Sequence, residues 1–349
     1  MTTSRKPFEM AGRRIAPGQR STVDLPVSTL SDHTPVTMSA HVIHGKKPGP
    51  VMFVSAAIHG DEVIGVEIVR RLLRTPNLDR LAGTLIAVPI VNTFGFLNQS
   101  RYLPDRRDLN RCFPGSPSGS LAARLAYLFL TEIVERSDFG IDLHSAAIQR
   151  TNLPQVRINP GNERLIKMAD VFGAPVIIPS KQRDGSLRKT AAEVNCDMLL
   201  YEAGEGLRFD EYAARTGVMG ILRVMRELGM ISSRGVTKPK VRPVRATTSF
   251  WLRSPAGGLL RMFRQTGDAV REGEVLGIVS DPFGENETEI VADQAGIIIG
   301  RSNLPVINEG DALFHIAVLP RPKAATETVE TLAEQLVEAQ PLFDEDEII

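Results

Sequence analysis

From Ser21 to Ile43 the chain alternates short β-like runs with polar turns, and this stretch closes at Gly-Lys-Lys-Pro-Gly-Pro. Val51 to Ile58 (VMFVSAAI) is then a continuous apolar run rich in branched residues, bounded by Pro50 and His59-Gly60. Such a run predicts a strand buried on both faces of a covered sheet. Between Asp61 and Arg74, Val63, Val66, Val69 and Leu73 recur at helical spacing, so a helix follows the strand after a tight turn. The strand signal returns from Gly83 to Ile90. Beyond a long polar loop, Asn98 to Ser118, residues 120–136 read as an amphipathic helix with Ser120 as N-cap. FGIDLHS (139–145), APVIIP (174–179) and CDMLLYEAG (196–204) supply three more strands, and Glu211 to Leu228 another helix. Strands alternating with helices predict an α/β sandwich.

Near Ser232 the pattern changes. Arg234 to Arg245 carries five basic residues, two prolines and no acid, which marks a basic linker at 233–246 after a first domain at 1–232. From Thr247 to Leu319, short alternating runs separated by glycine turns predict a small all-β domain at 247–320. The end, 321–349, is acidic: an amphipathic stretch (TVETLAEQLVEA) and then PLFDEDEII. It is expected to be a solvated, partly disordered tail. The length of 349 residues agrees with more than one core.

Composition narrows the partners. With 41 basic and 41 acidic residues the formal net charge is zero, so no global field recruits nucleic acid or an anionic membrane. A small-molecule or peptide partner fits better, and a homo-oligomer is compatible. The start has no apolar core of signal-peptide length and no run of about 18 apolar residues occurs, so a soluble, cytoplasmic protein is expected. Cys112 and Cys196 form neither a CxxC pair nor a disulfide framework, the usage of a reducing compartment; both read as core or semi-buried thiols.

The candidate chemistry starts where the first buried strand ends, at His59-Gly60-Asp61-Glu62. Ligands of open α/β sheets gather at the carboxyl ends of strands, and here an imidazole and a carboxylate stand three positions apart. A second imidazole, His144, ends the strand Ile141-Asp142-Leu143-His144. Two histidines and one carboxylate are the protein ligands of many catalytic zinc sites, which leave a position for water or substrate. Asp142 would orient a histidine from behind if its strand stays regular. Spacing alone equally allows a turn histidine followed by a first-turn carboxylate that the helix dipole favours. Other groups sit at similar places. Arg101 and Asp108-Leu109-Asn110-Arg111 occupy the long loop, where a guanidinium beside an amide suits a substrate carboxylate; the alternative is a solvated charge run of Arg106, Arg107 and Arg111. Glu202 ends a buried strand before Ala203-Gly204, where an acid is costly unless used, and it suits a general base. Arg150, Arg157 and Arg183 are candidates for reading a second carboxylate.

Together, His59-Gly60-Asp61-Glu62, Arg101 with the run from Asp108 to Gly115, Asp142-Leu143-His144-Ser145 and Tyr201-Glu202-Ala203-Gly204 resemble the succinylglutamate desuccinylase/aspartoacylase family, a branch of the zinc carboxypeptidase fold. The resemblance spans roughly residues 20–320. It implies a zinc carboxypeptidase-like α/β/α sandwich with a mixed central sheet, followed by a small β domain that narrows access to the site. It further implies one Zn²⁺ per chain on His59, Glu62 and His144, with Glu202 as catalytic base. Arg101 matches the arginine that polarises the scissile carbonyl, and Asn110 with Arg111 matches the pair that binds the substrate carboxylate. Glu202 is preferred over Glu205 because its place before Ala-Gly fits the family's Glu-x-Gly pattern.

Residues 254–318 also resemble the biotinyl/lipoyl carrier sandwich. No lysine occurs between Lys240 and Lys323, so covalent carriage is chemically excluded and a lid or an oligomerisation element is the better reading. The expected activity is therefore metal-dependent deacylation of small N-acyl amino acids or related amides, by metal-activated water with Glu202 as base. A metallocarboxypeptidase acting on peptides and a non-catalytic small-molecule sensor are the alternatives.

Overall fold

A computed structural model describes residues 5–319 and 322–338. Among the described residues one mixed sheet of thirteen strands runs through the molecule. Its centre is the parallel trio Lys47–Ala56, Phe139–His144 and Asp197–Gly204, with Ala82–Val88 parallel on the other side of the first strand. These four strands are almost wholly buried where they are apolar, which is why their sequence reads as continuous rather than alternating. Antiparallel strands extend both edges. Pro35–His44 and Gln19–Thr29 lie beyond Ala82–Val88, while Arg150–Ile158 lies beyond Asp197–Gly204.

Helices cover the two faces. On one, Ile64–Leu73, Glu163–Phe172 and Glu211–Glu227 bury Ile68, Met168 and Leu222 in a single core. On the other, Leu121–Phe129 and Leu187–Glu193 bury Leu125, Phe129 and Ala191. The expected α/β architecture with a mixed central sheet is thus present. In the first helix Ile64, Ile68 and Leu72 are buried; of the expected stripe Val69 is buried with them, whereas Val63, Val66 and Leu73 are only partly covered. Both stripes are apolar, and helical period alone does not choose between them. Ser120 caps its helix as expected, its Oγ accepting from Ala123 N at 3.3 Å.

The C-terminal strands do not form a detached unit. Gly296–Ser302 pairs with Arg150–Ile158 and with Ala312–Val318, and Thr248–Arg253 follows at the edge, so the central sheet continues into the C-terminal part. A second, four-stranded sheet of Glu287–Val291, Val275–Ser280, Gly258–Met262 and Val306–Ile307 packs on this extension through Leu260, Leu276, Phe314 and Ile316. The basic segment is tied down: Val244–Arg245 pairs with Val176–Ile177, and Arg223 Nε donates to Thr237 O at 2.8 Å.

The acidic end departs from expectation. Residues Pro322–Glu338 form a helix that buries Ala325, Leu332 and Leu336, and Gln335 bonds Lys238 O and Lys240 N, each at 2.8 Å. Leu332 and Leu336 are four residues apart and share one face; they are the apolar side of the amphipathic stretch, which packs on the protein where solvation was expected. The remainder of the predicted tail, 339–349, lies outside the described residues. Among the described residues no helix is long and apolar enough to cross a membrane.

Candidate active site

His59 lies just beyond the carboxyl end of Lys47–Ala56, in a turn whose shape depends on close backbone contact. A Cβ on Gly60 would lie 1.9 Å from the backbone carbon of Gly95. The Gly95 segment is itself fixed, since Asn92 Oδ1 accepts from Gly95 N at 2.8 Å. Leu207 N donates to Asp61 O at 2.8 Å, so the loop after Glu202 wraps the same turn.

The turn brings three ligand atoms together. His59 Nδ1 is 2.6 Å from Glu62 Oε1, and His144 Nδ1 is 2.7 Å from Glu62 Oε2. One ligand atom from each of the three residues lies within 4.8 Å of the others, and all three side chains are buried. Behind them, His59 Nε2 meets Asp108 Oδ1 at 3.0 Å and His144 Nε2 meets Asp142 Oδ2 at 2.6 Å. Asp142 is held in turn by Ser55 Oγ at 2.8 Å. The strand Phe139–His144 stays regular, so Asp142 and His144 share a face.

Charge in this cluster is strongly coupled. Burial alone would lower both histidines' proton affinity, but it is outweighed: Glu62 and Asp108 raise His59, while Asp142 and Glu62 raise His144. Burial likewise works against ionised Glu62, yet the two imidazoles hold it well below the ordinary carboxylate range. Two buried imidazoles backed by carboxylates and sharing a third carboxylate are a donor set that suits a divalent cation taking the place of protons. The residues therefore fit zinc chemically.

Arg101 stands beside this cluster, with Nη1 3.2 Å from Glu62 Oε1 and Nη2 3.0 Å from Asp108 Oδ2. A cavity of about 620 Å³ is lined by His59, Glu62, His144, Arg101, Asn110, Arg111 and Glu202, so all seven of these candidate residues border one space. Asn110 Oδ1 accepts from Leu187 N at 2.9 Å, which leaves its amide nitrogen as the group to offer a ligand. Glu202 pairs in register with His144 across the parallel strands, and its Oε2 accepts from Asn152 at 2.9 Å and Arg157 at 3.1 Å. Glu205 instead spans Gln149 N and Asn303, away from the cavity lining.

Arg150, Arg157 and Arg183 also line the cavity, together with Lys181 and Arg188, which no sequence motif marks. Among the described residues, seven cationic side chains thus face two carboxylates, Glu62 and Glu202. Arg188 is buried and held to Ser180 O and Lys181 O; burial first, then Arg157, pulls it down to about 10. The C-terminal strands supply Ser249, Trp251 and His315 to the lining. Trp251 and His315 are cross-strand partners with rings stacked at 4.7 Å, and burial pushes the imidazole down to about 3, so it stays neutral. No local signal in the sequence links these three residues to His59, because their approach depends on the sheet continuing across both parts of the chain.

Comparison with known proteins agrees with this architecture. The family model of the succinylglutamate desuccinylase/aspartoacylase catalytic domain matches residues 48–228. An N-alpha-acetyl-L-2,4-diaminobutyric acid deacetylase of Halomonas elongata is 27% identical over 312 residues, covering 86% of this chain and 91% of the relative. Among solved structures, a succinylglutamate desuccinylase from Silicibacter sp. TM1040 superposes with a TM-score of 0.78 at 23% identity, covering 90% of this chain and 99% of that one. The product-bound ectoine utilization protein EutE (DoeB) from Ruegeria pomeroyi gives 0.79 at 23%, with the same coverage. At that identity the structures speak for the fold. With the family model covering more than half of its length, the chain belongs to the succinylglutamate desuccinylase/aspartoacylase family.

Proposed function

We propose that this protein is a zinc-dependent hydrolase that removes the acyl group from small N-acyl amino acids or related carboxylate-bearing amides. The observation that carries the reading is one cavity bordered by the His59, Glu62 and His144 donor set and by Glu202. The deacetylase name of the Halomonas elongata relative supports amide deacylation. His59, Glu62 and His144 would hold one zinc ion per chain. When bound, such an ion supplies Lewis acidity, polarising a carbonyl oxygen and lowering the pKa of water toward about 7.

The protein's own groups do the rest. Among the described residues both hydrogen bonds to Glu202 go to Oε2, so Oε1 is the atom that takes a proton from the attacking water and returns it to the leaving amine. Arg101 sets a positive charge beside the site where the scissile carbonyl develops negative charge. The amide nitrogen of Asn110 and the Arg111 guanidinium grip the substrate carboxylate and fix its distance from the reacting bond. A cavity of about 620 Å³ favours a small substrate over a long peptide. The C-terminal strands, carrier-like in pattern and without the required lysine, serve as a wall that narrows this cavity. The two free cysteines accord with a cytoplasmic setting.

Metal analysis of the purified protein, joined to a substrate screen, tests this. About one zinc per chain is expected, lost in His59→Ala and His144→Ala. N-acetyl, N-succinyl and N-formyl amino acids and short peptides are then offered to the zinc-loaded protein. Release of the free amino acid supports deacylation, cleavage of peptides alone points to a carboxypeptidase, and binding without turnover points to a sensor.

A further inference from the structure

Glu202 receives its hydrogen bonds from the neighbouring strand Arg150–Ile158, and that strand touches the C-terminal part of the chain at the same point. Asn152 Nδ2 donates to Glu202 Oε2 at 2.9 Å, and Arg157 Nη2 donates to the same oxygen at 3.1 Å. Asn152 is itself 8% exposed, so its amide has little solvent to turn toward. On its outer side it is the register partner of Gly300, on the strand Gly296–Ser302. The space that a side chain at 300 would occupy is filled by the Asn152 amide: a Cβ built there would lie 2.6 Å from Asn152 Oδ1. The next atoms, His315 Cβ and Thr151 O, are both 3.4 Å away. A methyl group at this position therefore meets the end of a rotatable side chain before it meets backbone. Turning the amide costs less than moving the sheet.

We propose that Asn152, seated in the notch that Gly300 leaves in the adjoining strand, is a positioning residue that anchors Glu202 Oε2 and thereby commits Oε1 to proton transfer. The C-terminal strands then act on the chemistry through a missing side chain, in addition to walling the cavity. Arg157 supplies charge to the same oxygen, but its flexible guanidinium offers donors in several directions, whereas the Asn152 amide is wedged between two strands. The inference rests on the reading of Glu202 as general base.

The test is a double-mutant cycle on the zinc-loaded full chain, with the N-acetyl or N-succinyl amino acid that the screen finds fastest. Asn152→Ala and Gly300→Ala should each lower kcat by roughly tenfold to a hundredfold, with KM and zinc content changed by less than about twofold. In the double variant, Gly300→Ala should add no further loss to Asn152→Ala, because the glycine acts only through that amide. A crystal structure of Gly300→Ala should show Asn152 Nδ2 out of hydrogen-bond distance of Glu202. Losses that multiply in the double variant, or a wild-type kcat in Asn152→Ala, overturn the proposal. Should Gly300→Ala fail to fold, Asn152→Asp keeps the shape without the donor, and a wild-type kcat in that variant also overturns it. Wild-type turnover in Glu202→Gln would remove the general-base reading itself. An inactive Glu202→Gln beside fully active Asn152 variants would remove only the positioning role.

Discussion

Glu202 and His144 are register partners at the carboxyl ends of two adjacent parallel strands, so a single strand pair sets the distance between the candidate base and one candidate metal ligand. Parallel partners project to the same side of a sheet, and the carboxyl edge is where open α/β sheets bind ligands. Replacing Glu202 by Gln preserves this shape and removes proton affinity. Turnover should fall by at least about a hundredfold while zinc content is unchanged, as checked by steady-state kinetics beside metal analysis. Wild-type rates in this variant would take Glu202 out of the mechanism.

Asp108 and Asp142 orient the two histidines from behind. An asparagine at either position keeps the volume and loses the charge that would favour a metal-binding imidazole. Zinc affinity should fall by about tenfold to a hundredfold in Asp108→Asn and in Asp142→Asn. Competition against a chromogenic chelator measures it, and an unchanged dissociation constant in both variants would refute this role.

Gly60 touches the Gly95 backbone so closely that any side chain must displace the turn carrying His59 and Glu62. Gly60→Ala should cost about 1–3 kcal/mol of stability, the usual range for overpacking, and should weaken zinc binding as well. Thermal melts and zinc titration report the two effects separately. A variant with native affinity would show that the turn shifts without moving the ligands.

Arg71 clamps the helix Ile64–Leu73 to the helix Glu211–Glu227 by bonding Glu67 at 2.7 Å and Glu211 at 2.7 and 2.8 Å. Burial opposes ionised Glu67, but the bonds from Arg70 and Arg71 outweigh it and hold the carboxyl below its ordinary range; Glu211 is lowered chiefly by the bond from Arg71. A carboxylate with a lower pKa in the folded state stabilises fully above its unfolded value, about 4.3 for glutamate, and ceases to do so as pH falls through the folded value. Melts of metal-free protein should therefore show stability declining below about pH 4.3. Arg71→Ala should lower stability near neutrality by about 2 kcal/mol and flatten that decline. An acid limb as steep as in the wild type would contradict the clamp.

The central strands were legible in the sequence because their signals are local, whereas His59, Glu62 and His144 came together as a set only through the family resemblance. A continuous apolar run that ends in an imidazole announces both a buried strand and what stands at its carboxyl end. The strand Arg150–Ile158 was not legible, and the reason lies in its function. Asn152, Gln155 and Arg157 break the apolar pattern, and Pro154 argues against a strand. Two of these polar residues are the ones that reach Glu202. The helices Glu163–Phe172 and Leu187–Glu193 carried capping signals at Asn162 and Ser186, whose side chains accept from Leu165 N and Lys189 N. The surplus of cations in the cavity was visible only as scattered arginines until the chain brought them together.

The ladder between Arg150–Ile158 and Gly296–Ser302 ties the fate of one half of the polypeptide to the other. A fragment cut near residue 232 would bare backbone groups along that ladder and the apolar patch of Leu153, Val176 and Ile178, an invitation to self-association. Recombination among relatives would therefore have to exchange both portions at once, since neither offers a finished surface to a foreign counterpart.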